Sequence, residues 1–162
     1  MLSARTNDQC VTDVKAAVAV IGQRDAKRDI RPIDLTDSDL IGARLDRADL
    51  AGARLRVADL TWAFLRGTDL RGAFLDGADL RQAQLDGANL RGAHLTAADL
   101  RSADLTGADL TGADLGDARL RGADLTRAKW PGGAEVPGGW ELDAGSSRLR
   151  RAGADPGPAE AD

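Results

Sequence analysis

The chain has 162 residues, of which 43% are hydrophobic and 30% charged, a balance typical of a folded protein rather than a disordered one. Its net charge of -4 is spread along the chain, and no region holds the uncompensated lysine and arginine that direct binding to nucleic acid requires. A single cysteine, Cys10, and a single histidine, His94, exclude an intramolecular disulfide and a zinc site built from these residue types.

Residues 1–30 form the predicted N-terminal segment. Val14, Val18 and Ile21 fall at helical spacing and Gly22 follows them, which predicts a short capping helix at about residues 11–22, laid over the start of the region that follows. The longest apolar run, Ala16–Ile21, is much shorter than the roughly 18 to 20 residues of a membrane span. With no secretory pattern at the start, we expect a cytoplasmic protein without a membrane span.

Residues 31–132 repeat every five positions. Leucine holds one position of the repeat nineteen times without a miss, and Trp130 takes the twentieth place. A period of five fits no single helix face, because at about 100° per residue such leucines would spiral around the helix. An alanine stands two residues before the leucine in seventeen of the twenty units, and a spacing of two sends both side chains to the same side of a strand. The predicted core ladder consists of Leu35, Leu40, Leu45, Leu50, Leu55, Leu60, Leu65, Leu70, Leu75, Leu80, Leu85, Leu90, Leu95, Leu100, Leu105, Leu110, Leu115, Leu120 and Leu125.

Each short strand must be followed by a bend. Glycine occupies the second position after the leucine in eleven of the twenty units, where a type II turn needs a residue with positive φ. Val57, Trp62 and Ala97 stand at the same position in their own units, and they predict a different turn type at those corners.

Units such as Ala78-Asp79-Leu80-Arg81-Gln82 resemble the pentapeptide repeat family, whose motif is a small residue, Asp or Asn, Leu and two variable residues. The resemblance covers about residues 31–132, and the segment before the repeats resembles that of longer bacterial members of the family. It implies an all-β fold, a right-handed quadrilateral parallel β-helix with four units per coil. Twenty units then form about five coils. Such a rod gains its stability from contacts between neighbouring coils, so both ends need caps.

Residues 133–162 form the predicted C-terminal cap and tail. The repeat stops after Trp130, and Trp140 with Leu142 either caps the last coil or forms the seam of a homodimer that joins through a coil end. From Gly145 onward, glycine, serine, alanine, proline and arginine dominate, which predicts a disordered tail.

The outward positions carry acidic ladders with arginines two positions away, as in Asp79 and Arg81 or Asp99 and Arg101. The family resemblance implies one well-known activity, in which an acidic rod mimics DNA and so inhibits or protects a type II topoisomerase such as DNA gyrase. That mimicry needs a net negative surface, and the repeat region has sixteen acidic against fourteen basic residues. We therefore keep topoisomerase inhibition as the alternative function.

Aromatic residues supply the predicted partner interface, formed by Trp62, Phe64, Phe74, Arg54 and His94. Phe74 stands between Arg54 and His94 in one predicted column, whereas Phe64 lies on another face with Trp62 at the adjoining corner. Exposed aromatic residues are enriched at interface hot spots. The alternative is that these side chains only stack on one another, with Arg54 over Phe74 as a cation-π contact within one column.

We expect no catalytic, cofactor-binding or metal-binding residues. A leucine-filled interior leaves no substrate cavity, and His94 has no serine or cysteine nucleophile at a repeat-equivalent position beside it. The sequence predicts a non-enzymatic interaction or scaffold module whose partner is another protein.

Overall fold

The computed structural model describes residues 32–143 and 145–153. Between residues 34 and 129 the chain forms parallel β-bridges that join residues twenty positions apart, such as Asp34 with Arg54 and Phe74 with His94. Because twenty residues make four units of five, the backbone returns to the same side of the rod after every fourth unit.

The bridging residues form four columns, which we call the first to fourth faces. The first face carries Asp34, Arg54, Phe74, His94 and Asp114; the second Asp39, Asp59, Asp79, Asp99 and Arg119; the third Arg44, Phe64, Gln84, Asp104 and Asp124; the fourth Asp49, Asp69, Asn89, Asp109 and Lys129. Four columns of five residues agree with the predicted five coils, and the parallel β-helix is confirmed. The right-handed winding that the resemblance implies stays a prediction.

Backbone hydrogen bonds hold each coil to its neighbours. Leu75 donates its N–H to the carbonyl of His94 in the next coil at 2.7 Å, and Phe74 donates to Ala53 in the previous coil at 2.9 Å. Within one coil, Ala73 donates to the carbonyl of Leu70 at 3.0 Å and closes the turn between two faces. Each middle coil is thus hydrogen-bonded to both of its neighbours, and its stability includes the contribution of both interfaces.

The leucine and alanine side chains fill the interior of the rod. Sixteen of the nineteen ladder leucines are buried, whereas Leu35, Leu115 and Leu120 at the two ends are half-buried. Thr68 replaces alanine at one inward position, and its hydroxyl donates to the carbonyl of Leu45 at 2.7 Å. That bond satisfies the only polar side chain that is buried within the described part of the rod.

The prediction of a different turn type at Val57, Trp62 and Ala97 is wrong. Their φ angles are 58°, 59° and 58°, close to the 61° of Gly72 at the same position of another turn. The amide of each of these residues donates to the next coil, as that of Trp62 does to Arg81 at 3.0 Å. Stacking of the coils therefore imposes one corner geometry, although a left-handed conformation costs a residue with a Cβ about 1 kcal/mol.

Two regular strands follow the rod, β1 (Trp140–Leu142) and β2 (Leu149–Arg151), and they pair antiparallel. Leu149 is only 1% exposed, donates to Ala128 at 2.8 Å and accepts from Arg127 at 2.8 Å. The prediction of a disordered tail from Gly145 onward is therefore wrong for residues 145–153. A buried leucine within a polar segment anchors the hairpin to the fourth face of the last coil.

The two predicted end caps differ in how far the structure describes them. Trp130 is buried, and Trp140 is half-buried against the same core, so both lie where the C-terminal cap was predicted. The predicted helix at about residues 11–22, with Val14, Val18 and Ile21, lies outside the described residues, as do residues 154–162.

Candidate functional site

The outside of the rod carries the side chains that can meet another molecule. Within the described residues, no group of three or more His, Cys, Asp or Glu side chains is placed to hold a metal ion. In the same part of the chain, no helix is long and apolar enough to cross a membrane.

The predicted partner interface does not form one surface. Phe74 and His94 lie on the first face, where their rings stack with centroids 4.8 Å apart and planes 6° from parallel. Phe64 lies on the third face, and Trp62 lies at the corner between the second and third faces. Phe64 and Phe74 are ten residues apart, which is half a coil, so they lie on opposite sides of the rod. The β-bridges match the predicted columns, and binding of a partner through either side stays a prediction.

The predicted cation-π contact also involves a different arginine. The guanidinium of Arg56, not that of Arg54, lies over the ring of Phe74, 5.1 Å from its centroid. Arg54 instead faces Asp34 in the same column, with 3.5 Å between Nη1 and Oδ2. The carboxylate of Asp76 lies 3.0 Å from Nε of Arg56 and holds that side chain beside the ring. The three predicted interface residues on the first face, Phe74, His94 and Arg54, therefore already contact other side chains of the rod.

An arginine also covers the ring of Phe64, whereas the ring of Trp62 is exposed. The guanidinium of Arg44 lies over Phe64, 5.5 Å from the ring centroid, and the ring is half-buried. Trp62 remains 57% exposed, although its indole N–H donates to the side-chain carbonyl of Gln82. Its apolar ring therefore faces solvent at a corner of the rod.

Most of the acidic ladder is paired with arginine. Asp69, Asp79 and Asp99 are each contacted at 2.6 Å by the arginine two positions further along. Hydrogen bonds from Arg81 lower the pKa of Asp79 despite partial burial, and Arg101 does the same to the pKa of Asp99. The prediction that arginines pair with the acidic ladders is confirmed for these three units.

Two carboxylates on the second face lack such a partner. Asp39 and Asp59 accept hydrogen bonds from the backbone amides of Ile41 and Thr61, and neither forms an ion pair within the described part of the chain. The reason lies in the sequence, because Ile41 and Thr61 occupy the position that Arg81 and Arg101 hold in later coils.

Exposed apolar residues flank these two carboxylates. Ile41 and Trp62 lie in neighbouring coils at the corner after the second face, and Val57 lies at the corner before it. They are 36%, 57% and 62% exposed, and Leu142 is the one other large hydrophobic residue exposed to this degree in the described ranges. We call Asp39, Ile41, Val57, Asp59 and Trp62 the Trp62 patch. Of these five residues, the sequence analysis assigned only Trp62 to an interface. The absence of arginine directly after Leu40 and Leu60 could have indicated that Asp39 and Asp59 are not paired as Asp79 and Asp99 are.

A comparison with models of protein families identifies the repeats. The family model for pentapeptide repeats, in eight copies, matches segments at residues 33–72, 65–101, 73–112 and 88–127, which together cover more than half of the chain. A comparison with curated protein sequences finds no match.

Several solved structures are similar to this chain. A pentapeptide repeat protein of the Arabidopsis thaliana thylakoid lumen is 33% identical, over 72% of this chain and 74% of its own length, with a TM-score of 0.42. The protein alr5209 of Nostoc PCC 7120 is 30% identical over 78% and 87%, with a TM-score of 0.43. HetL of Nostoc sp. strain PCC 7120, involved in heterocyst differentiation regulation, is 34% identical over 64% of this chain, with a TM-score of 0.41. The match spans only 58% of HetL. On the family match across its repeats, this chain belongs to the pentapeptide repeat family.

Proposed function

We propose that the protein is a non-enzymatic interaction or scaffold module that binds another protein through the Trp62 patch. One observation carries this proposal: the 57% exposed side chain of Trp62 lies close to two carboxylates, Asp39 and Asp59, neither of which forms an ion pair within the described residues. Groups of exposed apolar side chains rimmed by polar residues mark contact sites, and tryptophan is among the residues most enriched at hot spots.

The chemistry of the patch defines its partner. Asp39 and Asp59 make the second face negative in the first two coils, while Ile41, Val57 and Trp62 frame it with apolar groups. A complementary surface presents lysine or arginine to the carboxylates and an apolar side chain to the indole ring. The partner is therefore a protein with a basic and apolar surface, and its association should weaken as salt concentration rises.

The rod holds this patch in a fixed arrangement. The amide of Asp59 donates to Ser38 at 3.0 Å, and that of Trp62 donates to Arg81 at 3.0 Å, so the backbone under the patch is tied to the coils on both sides. A surface that is ordered before binding loses little conformational entropy in the complex. This preorganisation suits a scaffold better than a flexible binding loop would.

The test compares two glycine substitutions at equivalent turn positions. Trp62→Gly removes the indole at a φ of 59°, a conformation that glycine adopts without strain, so the fold is kept. Ala97→Gly is the matched control, at a φ of 58° in a distant coil. Quantitative affinity capture from native lysate, followed by mass spectrometry, should show one or more proteins retained by the wild type and the control but lost with Trp62→Gly. Identical captured sets for all three chains contradict the proposal.

The alternative, DNA mimicry toward a type II topoisomerase, receives less support from the surface. Ion pairs such as Arg71 with Asp69 and Arg101 with Asp99 neutralise much of the ladder that would imitate phosphates. We expect DNA supercoiling by gyrase to continue unchanged with micromolar purified protein in excess. Inhibition in that assay replaces the scaffold proposal with the alternative.

A further inference from the structure

The C-terminal end of the rod is covered on one side only. In the preceding coil, the amides of Leu95, Ala97, Leu100 and Ser102 each donate to a carbonyl of the last coil, at 2.7 to 3.1 Å. On the fourth face, the hairpin continues this pairing, since Trp130 donates to Ser147 at 3.0 Å. Among residues 32–143 and 145–153, nothing covers the first and second faces in this way.

The backbone of residues 113–122 therefore presents an open parallel edge. Leu115, Asp117, Leu120 and Gly122 occupy the positions equivalent to the four donors of the preceding coil, and their amides donate to no acceptor within the described residues. The carbonyls of Ala113 and Ala118 likewise accept no backbone amide there. Six aligned backbone groups, four donors and two acceptors, form a template for one more strand.

A groove with both apolar and charged lining residues lies directly above this edge. Leu115 and Leu120 are only half-buried, whereas the equivalent Leu95 and Leu100 of the preceding coil are fully buried. The groove has a volume of about 770 Å³ between residues 113–122 and the segment 134–140. Trp130, Val136 and Trp140 form the apolar part of its lining together with these leucines, so the inward side chains of a further strand would contact the end of the leucine core.

We propose that this groove binds an extended segment of a partner protein, which pairs in parallel with residues 113–122 and completes the last coil. Addition of a strand to an exposed edge gains main-chain hydrogen bonds, and alternate side chains supply specificity. The surface is separate from the Trp62 patch, which lies in the first two coils, so the two proposals stand independently.

The charges at the edge define the strand further. Asp114 and Asp117 lie on the N-terminal half of the edge, and Glu135 lines the groove beside them. Arg119 lies on the second face, at the C-terminal half of the edge. The best complement has arginine or lysine opposite Asp114 and an acidic residue opposite Arg119, with leucine at the inward positions. A strand of that kind follows the repeat pattern of this chain itself.

Other occupants fit the groove less well. Residues 154–162 contain Pro156 and Pro158, which have no N–H to donate and disfavour a paired strand. A second copy would have to bring its own flat coil end against this one, but residues 134–140 line the other side of the groove and restrict entry to a narrow segment. A single extended peptide meets neither obstacle.

A synthetic peptide with the sequence of residues 118–127, Ala-Arg-Leu-Arg-Gly-Ala-Asp-Leu-Thr-Arg, is the probe. Added to the ¹⁵N-labelled full chain, it should shift the amide resonances of Leu115, Asp117, Leu120 and Gly122 and slow their hydrogen exchange at least about tenfold. The control peptide has both leucines replaced by serine, which keeps the charge and removes the apolar contact.

A variant protein tests the same site from the other side. Leu120→Lys places a charge at a half-buried position and should abolish the peptide-induced shifts, while the amides of the middle coils keep their resonances. The absence of shifts with millimolar peptide overturns the proposal, as does slow exchange of the four amides in the free monomer. Light scattering completes the test: protection that grows with protein concentration, together with a doubled mass, assigns the groove to a second copy and overturns the partner strand.

Discussion

The middle coils and the C-terminal end contain the same repeat, but the two regions differ in how far that repeat is satisfied. At Leu80, the backbone amide donates to the carbonyl of Asp99 in the next coil at 2.8 Å, and the side chain is fully buried. At Leu120 the next coil is missing, its amide has no acceptor within the described residues, and the side chain is half-buried. At this end of the rod, the repeat thus forms a closed core only where a further coil or the hairpin covers it.

The largest expected effect compares these two leucines directly, since both lie in the interior of the second face. Leu80→Ala should lower the free energy of unfolding by about 2 to 5 kcal/mol, because it leaves a cavity in a closed core. Leu120→Ala should cost about 1 kcal/mol, because its side chain is already in contact with solvent. Urea denaturation followed by circular dichroism measures both. Equal losses would show that the last coil is as well packed as the middle ones.

The cap supplies the next largest effect. Leu149→Ala should lower the free energy of unfolding by roughly 2 kcal/mol, because this side chain is 1% exposed against the last coil. Loosening of the hairpin should also expose Trp130 and shift its fluorescence emission to longer wavelength. Leu142→Ala, at a position that is 43% exposed, is the control and should leave both quantities nearly unchanged. An unaltered spectrum for Leu149→Ala contradicts the anchoring role of this residue.

Acid should weaken the fourth face near the same end. Burial alone raises the pKa of Asp109, but hydrogen bonds from Thr111 and the ion pair with Lys129, at 3.1 Å, outweigh it and lower the pKa to about 2. A carboxyl group with a lowered pKa in the folded state contributes stability above its ordinary value of 3.8, and that contribution is lost as pH falls toward 2. Its size is roughly 1 to 2 kcal/mol.

The variant Asp109→Asn isolates this contribution. At pH 6 the wild type should be the more stable chain by that amount, and the two unfolding free energies should converge as pH approaches 2. Chemical denaturation at pH 6, 4 and 2.5 follows the convergence. A difference that does not change with pH would assign the effect to packing rather than to the charge of Asp109.

The smallest predicted effect concerns the corners of the coils. Val57→Gly should raise the free energy of unfolding by up to about 1 kcal/mol, because valine is strained at a φ of 58°. Gly72→Ala, at a φ of 61°, should lower it by about 1 kcal/mol although no atom lies within 4 Å of the added Cβ. Gly132→Ala is the control, since its φ is not positive and its surroundings are open. Thermal unfolding should give the highest midpoint for Val57→Gly, a midpoint near that of the wild type for Gly132→Ala and the lowest midpoint for Gly72→Ala.

Several expectations failed where the answer depended on distant residues. Nothing in the unit around Trp62 indicates that its corner must match that of Gly72, because the requirement comes from hydrogen bonds to coils twenty residues away. The cation-π partner of Phe74 was misassigned for a related reason. Arg54 shares its column, but Asp34 holds the guanidinium of Arg54, so Arg56 occupies the ring face instead.

The residues of the candidate interface also fall into those that the sequence revealed and those that only contacts between coils revealed. Trp62 was found from its residue type, while Asp39 and Asp59 became notable only when the ion pairs of Asp79 and Asp99 were seen beside them. The groove at the C-terminal end was not predicted at all. Its formation depends on how residues 134–140 leave the last coil, and no repeat pattern describes that segment.

The amino-acid sequence by itself determined which side chains point inward and that the chain winds in units of five, because a spacing of two along an extended strand is a local property of the backbone. Only the tertiary structure decided which outward residues share a face, which carboxylates meet an arginine and where the ladder of hydrogen bonds stops. Those features depend on the return of the chain after twenty residues and on the path of the cap, and both arise from contacts between segments far apart in sequence.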